Sequence, residues 1–453
     1  MKKFFILILS YLIIGLPSIA ANNTAAYMNL DWWKNFNDDY LVQNLVKVYE
    51  SNYDLKDAAL KVKANEQVVR MQFAQELPGV SFSGDIYRDF QAARRQYGDL
   101  EISKYSQNNY YLPITAGYEI DIWGKNRLKT KSKKQQLEII KQEERSTYIS
   151  LTSAFATDYF NLIKTDEMLR LQNELVNVQQ QITQMIKDKN KIGLAPITAV
   201  LQQEENLNTL KQEQNIYNKT KEVLINNLNV YLSESNKDIQ RNSYKNLTLL
   251  KNIPEEYNSN IIENRPDYLE QEANIKRIGF DVRVAKKEFL PTFTIYGQIG
   301  LNAYKLSNLF NNPSQFLSAG IAPNWDLFSG GRKLAMLKME KFRYEEALNS
   351  FQKTYLDAIS EINSSLVDYK TSNRNYNEAQ EKLAKERKLY NLAMDNRNIG
   401  NGNNVDVLFA REVYLTIKKE SVSNKINSLI SAIGLYKSVG GVNLYDINKS
   451  DNL

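Results

Sequence analysis

The segment Tyr118–Arg127, YEIDIWGKNR, has a near-copy at Pro323–Arg332, PNWDLFSGGR. Each holds an apolar residue, Asp, an apolar pair, then glycine and arginine. Each follows a stretch in which apolar and polar residues alternate, and each opens onto a long polar segment. One chain therefore passes twice from a period of two to a helical period, and that repeated passage decides the fold.

Upstream of the first copy, Val80, Phe82, Ile86 and Phe90 fall on one side of an alternating run, with Ser81, Ser83, Asp85, Tyr87 and Asp89 on the other. Leu112, Ile114, Ala116, Tyr118, Ile120 and Ile122 alternate with Pro113, Thr115, Glu119 and Asp121. In the second half Phe293, Ile295, Ile299 and Leu301 alternate with Thr292, Thr294 and Gln298, and Leu317, Ala319, Ile321, Trp325 and Leu327 with Ser318, Asn324 and Asp326. A period of two marks half-buried strands. The runs predict four strands, over about 79–91, 110–123, 291–302 and 315–328. Each is close to the ~10 residues of a membrane-spanning β-strand. The segments between them, Gln91 to Asn109 and Asn302 to Gln315, read as polar loops. Four strands split into two pairs make a poor sandwich. They also fall short of the roughly eight strands of the smallest membrane barrels. Lipid tolerates no open sheet edge, so strands that span a membrane here require several chains to share one barrel. Three copies give twelve strands.

Downstream of each junction the pattern is helical. Neither Arg127–Asn190 nor Lys333–Ile399 contains Pro or Gly. Tyr148, Leu151, Phe155, Tyr159 and Leu162 recur at spacings of three and four. At ~1.5 Å per residue each helix would approach 100 Å. Partner helices follow at Ile197–Leu232 and Val405–Val439, giving helical hairpins over about 125–232 and 331–439. Shorter helices at Leu41–Gln75 and Asp267–Phe289 lead into the strands. The apolar stripes are narrow, as in coiled-coil packing or a hollow bundle with a wet inner face.

Other segments repeat in the same order. FAQELPGVSFSG (Phe73–Gly84) echoes AKKEFLPTFTIYG (Ala285–Gly297), and KIGLAPITAVLQQ (Lys191–Gln203) echoes NIGNGNNVDVLFA (Asn398–Ala410). The chain reads as an internal tandem duplication, 21–262 and 263–453, preceded by a signal peptide over residues 1–20. That leader has Lys2 and Lys3, an apolar run from Phe4 to Leu16, and the small-residue cleavage site around Ala20.

The 453 residues include no Cys and no His. Disulfides, thiolate metal sites and imidazole-based catalysis are excluded. Net charge is +6, from 58 basic and 52 acidic residues that are interspersed, so no nucleic-acid stripe is present. Mean hydropathy is −0.49, against a polytopic helical membrane protein. No nucleophile elbow or Gly-rich phosphate loop is found. The chain reads as neither an enzyme nor a cofactor binder.

Several pieces together resemble the TolC family of outer-membrane efflux proteins, and most closely its branch serving resistance–nodulation–division pumps. They are WWKNFNDDYLVQNLV, NYDLKDAALKV, YEIDIWGKNR, KIGLAPITAV, RPDYLEQEANIKRIGFDVRVAKKEFLPTFTIYG, NWDLFSGGR and IGNGNNVDVL, in family order over nearly the whole chain. The resemblance implies a mixed α and β membrane protein in the bacterial outer membrane. In it a homotrimer pools four strands per chain into a twelve-stranded barrel, continuous with a hollow periplasmic α-helical barrel. It implies a passive exit duct for small molecules, with a periplasmic adaptor, an inner-membrane pump and outer-membrane lipid as partners and no cofactor. The alternatives are an outlet for type I protein secretion or an exported coiled-coil structural protein. Many members of this branch carry a lipidated N-terminal Cys, which this chain lacks, so the barrel alone must anchor it.

The resemblance also assigns sites. Asp121, Trp123 and Gly124, and Asp326, Gly330 and Gly331, stand at the two strand–helix junctions. The glycines permit the change of direction, both carboxylates are expected to accept backbone N–H bonds, and the aromatics suit an interface. Gly193, Leu194, Gly400 and Asn401 match the periplasmic tips that adaptor hairpins grip. Asp406, with Phe409 and Thr198, matches the pore constriction. Here the chain departs from the best-known pattern, with Phe409 at a second acidic position and Ala199, after Thr198, at the first-half one. Asp406 also suits the start of a helix on electrostatic grounds alone.

Overall fold

A computed structural model describes residues 28–445 except 92–93, 97–99, 103–104, 236, 251–252, 255–256 and 258. The expected signal peptide lies outside the described residues. The elements are α1 (Leu30–Lys34), α2 (Asp39–Ser51), α3 (Tyr53–Ala74), β1 (Gly79–Phe82), β2 (Asp85–Gln91), β3 (Arg94–Gln96), β4 (Leu100–Ile102), β5 (Tyr105–Glu119), α4 (Lys125–Lys191) and α5 (Ile197–Tyr231). They continue as α6 (Pro266–Lys287), β6 (Thr292–Ala303), β7 (Gln315–Asn324), α7 (Arg332–Asn398) and α8 (Asn404–Ser438). The halves match in length: α3 and α6 have 22 residues, α4 and α7 67, α5 and α8 35. Two compact units cut across these halves. One holds residues up to Lys61, Lys141–Leu269 and Lys353 onward; the other holds Val62–Ile140 and Glu270–Gln352.

In the second unit the sheet is antiparallel, with β1 and β2 in series along one edge of β5, then β6, then β7. The expected first strand is cut at Ser83–Gly84. Ser83 donates its N–H to Pro113 O at 3.2 Å, but proline has no N–H to return, so the ladder loses a rung. On the other side of Pro113, Gly300 allows a close approach. A Cβ there would lie 2.4 Å from Leu112 O and 2.7 Å from the Pro113 Cα. The register aligns the alternation of every strand. Phe82, Ile114, Ile299 and Leu317 line up across the sheet on one face, and Ser81 and Thr115, then Gln298 and Ser318, on the other. The apolar face is open: Phe82 is 68% exposed, Ile299 50% and Leu317 77%.

Three strand expectations are corrected. The strand expected over 110–123 runs Tyr105–Glu119, because β2 pairs it out to Gln91↔Tyr105. The loop expected between Gln91 and Asn109 is largely ladder, continued by β3 with β4. Those three-residue strands, RRQ and LEI, are too short to show a period. The strand expected over 315–328 stops at Asn324, and the Asn302–Gln315 connection carries two 3₁₀ turns. In this unit Val62, Val69 and Leu137 form the small helical core.

The first unit holds the main core. Trp32 stacks on Tyr436 at 5.2 Å between ring centroids, and Trp33, Phe36, Tyr159 and Phe160 surround them, all essentially buried. Asp38 caps α2 through the Tyr40 and Leu41 N–H groups at 3.1 Å and accepts the Tyr159 hydroxyl at 2.9 Å. The helix expected over Leu41–Gln75 is two helices. Asn52 turns extended between them, and its Oδ1 accepts the N–H of Asp54 and Leu55 to start α3. Its side-chain amide also donates to Tyr231 O at 2.9 Å. Pro266 opens α6, where its missing N–H costs nothing. Arg265 beside it pairs with Asp267 and Glu361 at 2.7 Å and donates to Ser438 O. No described helix is long and apolar enough to cross a membrane.

Candidate functional site

The two junctions share a plan but differ in chemistry. After β5 the chain turns at Gly124, φ 71°, a left-handed value that glycine adopts without cost. Asp121 then caps α4. Its carboxylate accepts the Asn126 N–H at 3.1 Å and the Arg127 N–H at 3.0 Å, and the Arg127 Nε at 3.3 Å. Partial burial pushes the Asp121 carboxyl up, but the Arg127 and Asn126 N–H bonds and the Arg127 guanidinium outweigh it and hold it below the ordinary carboxylate range. Lys125 adds pairs with Glu119 at 3.4 Å and Glu288 at 3.8 Å.

After β7 the turn uses Gly330 and Gly331, φ 58° and 84°. Here the expected cap is not formed. Asp326 instead faces side chains, Lys333 at 3.4 Å and Arg332 at 3.7 Å, and its carbonyl accepts the Lys333 ammonium at 2.9 Å. The reason is spacing. Asp121 precedes the first residue of α4 by four positions, Asp326 that of α7 by six, so its carboxylate misses the first-turn N–H groups. The tryptophans converge. Trp123 Nε1 donates to Pro291 O at 2.7 Å and Trp325 Nε1 to Phe289 O at 3.1 Å, both at the entry to β6. Trp325, Leu327 and Phe328 stay exposed, Phe328 by 87%.

In the first unit the two hairpin turns are built alike. Gly193 has φ 76° and Gly400 φ 80°. The Gly193 and Leu194 N–H groups bond to Asn190 O at 2.9 Å and Lys189 O at 2.8 Å; those of Gly400 and Asn401 bond to Arg397 O at 3.1 Å and Asn396 O at 2.9 Å. Both are Schellman ends, satisfying the last helical carbonyls. Ile192, Leu194 and Ile399 project at 70% exposure or more.

Asp406 is the third residue of α8. Its N–H bonds to Asn403 Oδ1 at 3.0 Å and its carboxylate returns to the Asn403 N–H at 3.4 Å, a reciprocal capping box. Asn403 escaped the sequence reading, although Asn-x-x-Asp before an apolar run signals that box. Val405, Leu408 and Leu415 are buried, and Leu408 and Leu415 join the core of α4 around Leu175 and Val178. Asp406 and Phe409, three residues apart, stand on the exposed side. Thr198, second residue of α5, is exposed as well. Among the described residues no cluster of three or more acidic side chains could hold a metal.

An open apolar sheet face, whose strands pass through glycine turns into long polar helices, defines a β-type membrane protein. The chain belongs to the outer membrane efflux protein family, whose model matches residues 44–233 and 258–441. It is similar to the probable efflux pump outer membrane protein TtgC of Pseudomonas putida, 24% identical over 94% of this chain and 87% of the relative. It is also similar to the outer membrane protein OprJ of Pseudomonas aeruginosa, 24% identical over 93% and 88%. Among solved structures, the CmeC outer membrane channel of Campylobacter jejuni superposes with a TM-score of 0.83 at 23% identity, covering 94% of this chain and 91% of that one. The open-state MtrE channel of Neisseria gonorrhoeae gives 0.79 at 17%, covering 91% of each. The chain is an outer-membrane efflux protein, in a family of channels rather than of enzymes.

Proposed function

We propose that three copies of this chain close β1–β2, β5, β6 and β7 into a twelve-stranded barrel in the outer membrane. Their long helices then form a hollow periplasmic tube. One observation carries the reading: the sheet has an exposed apolar face, and among the described residues neither of its edges, β1–β2 and β7, has a further partner strand. In lipid such edges must be paired, and a second copy supplies the complementary edge. The equal helix lengths and the two separate family matches support an internal duplication.

The assembly works as a passive exit duct for small molecules. An inner-membrane pump supplies the energy and a periplasmic adaptor joins the two. Named relatives are toluene, antibiotic and pyoverdine exporters, which supports small molecules over secreted proteins. The Gly193–Leu194 and Gly400–Asn401 turns are the adaptor-facing tips. Asp406 from three copies makes an acidic ring that concentrates cations, as in cation channels, with Phe409 and Thr198 narrowing the same end. Mass measurement in mild detergent and planar-bilayer recording test the proposal together: trimers with discrete conductance steps are expected. A soluble monomer, or electrically silent trimers, would overturn it.

A further inference from the structure

Helices α6 and α7 leave a groove of about 510 Å³ between them, within the unit that carries the sheet. Its floor is apolar, with Ile275, Phe280, Val282 and Tyr344. Its rim is cationic. Lys276 is engaged by Glu272 at 2.7 Å; Arg283, Lys286 and Lys341 are exposed and form no ion pair among the described residues, and the Arg283 guanidinium lies 5.9 Å from the centroid of the Phe280 ring. Among the described residues lining the groove, Glu345 is the one carboxylate. Gly279 lies mid-helix on the floor, where glycine weakens a helix. Sterics do not demand it, since a Cβ there would meet Tyr344 only at an ordinary 3.6 Å. Its effect is to keep the groove open.

Position along the chain supplies the rest. Lys286 stands three residues before Phe289, and with Trp325, Leu327 and Phe328 that residue forms an exposed apolar collar where strands meet helices. Going away from the sheet, the surface changes from apolar face to aromatic collar to exposed cations over an apolar cleft. A phospholipid makes the same sequence in reverse, from phosphate headgroup to acyl chain. We propose that this groove holds the headgroup of an anionic phospholipid, with Arg283, Lys286 and Lys341 meeting the phosphate and the acyl chains running up past Phe289 toward the sheet. Phosphate pairs well with guanidinium and ammonium groups, and polybasic segments beside a membrane attract anionic lipid. The inference rests on the sheet spanning the outer membrane.

The test uses the full-length protein reconstituted into nanodiscs of equal parts phosphatidylglycerol and phosphatidylcholine, with lipids that survive delipidation counted by native mass spectrometry. Wild type is expected to retain phosphatidylglycerol preferentially. R283Q/K286Q/K341Q should lower that preference by about fivefold per cation removed. G279L, which fills the cleft and leaves the charge intact, should lower it too. K129Q/K133Q, on α4 outside the groove, should leave it unchanged. Failure to enter the bilayer at all would sink the membrane-spanning reading, and this inference with it. Entry with equal retention of the two lipids, or with preference intact in both groove variants, would overturn the groove alone. Retention of free inorganic phosphate in place of lipid, or capture of an acidic protein through these cations, would also overturn it.

Discussion

The two junction aspartates occupy matching places in the repeated segments, yet the structure predicts unequal consequences for removing them. Asp121→Ala deletes a carboxylate whose side chain is 11% exposed and which accepts two backbone N–H bonds of the first turn of α4. Loss of such a cap costs about 1–2 kcal/mol, and the favourable position at the helix N-terminus adds about 0.3–1 kcal/mol. The Arg127 pair adds little, because Arg127 is 62% exposed. The sum is about 2 kcal/mol per chain. Asp326→Ala removes only longer ion pairs from a carboxylate that is 44% exposed, worth under about 1 kcal/mol. Thermal dissociation of the trimer in mild detergent, followed by gel mobility, ranks the two. The pH dependence carries the same signature. The Asp121 pKa is depressed in the folded chain, so its contribution is complete above the unfolded value of about 3.9. It disappears as pH falls through the lower folded value. Wild type should therefore lose more stability than Asp121→Asn below about pH 4. Equal destabilisation by the two alanine variants, or identical acid profiles for wild type and Asp121→Asn, would refute the reasoning.

Other outcomes follow from the same geometry. Gly300→Ala should sharply reduce the yield of folded trimer, because its Cβ has nowhere to go beside Leu112 O; Gly297→Ala, whose nearest neighbour would be Ser318 O at 3.9 Å, should be tolerated in the same heat-modifiability assay. Gly193→Val and Gly400→Val force a β-branched residue into φ near 80° where nothing else crowds it, so trimers should form while adaptor-dependent drug resistance is lost; Asn at either position should restore it, since Asn accepts that region. Asp406→Asn should weaken cation selectivity and divalent block in single-channel recording with little change in stability. Asn403→Ala should do the reverse, costing about 1 kcal/mol of helix capping with selectivity unchanged.

The sequence by itself determined the elements that rest on local period and punctuation. Long runs without Pro or Gly predicted α4 and α7 to within two residues at each end, and Gly193 and Gly400 marked turns whose left-handed φ leaves few other residues. The alternation of Phe82, Ile114, Ile299 and Leu317 fixed strands and their faces, because a period of two is a property of the chain alone. What depended on a partner across space stayed hidden. β5 begins at Tyr105 because Gln91 pairs with it, not because its own residues announce a strand. The break at Ser83 comes from Pro113, thirty positions away in sequence and opposite in the ladder. Asn52 divides one helical pattern in two by bonding to Tyr231 as well as to its own next turn. The two aspartates looked equivalent in sequence, and only the folded turns, of different length, made one a cap and the other an ion-pair partner. The groove between α6 and α7 joins residues some sixty positions apart, Arg283 and Lys341 among them, and a tertiary contact alone brings them to one cleft.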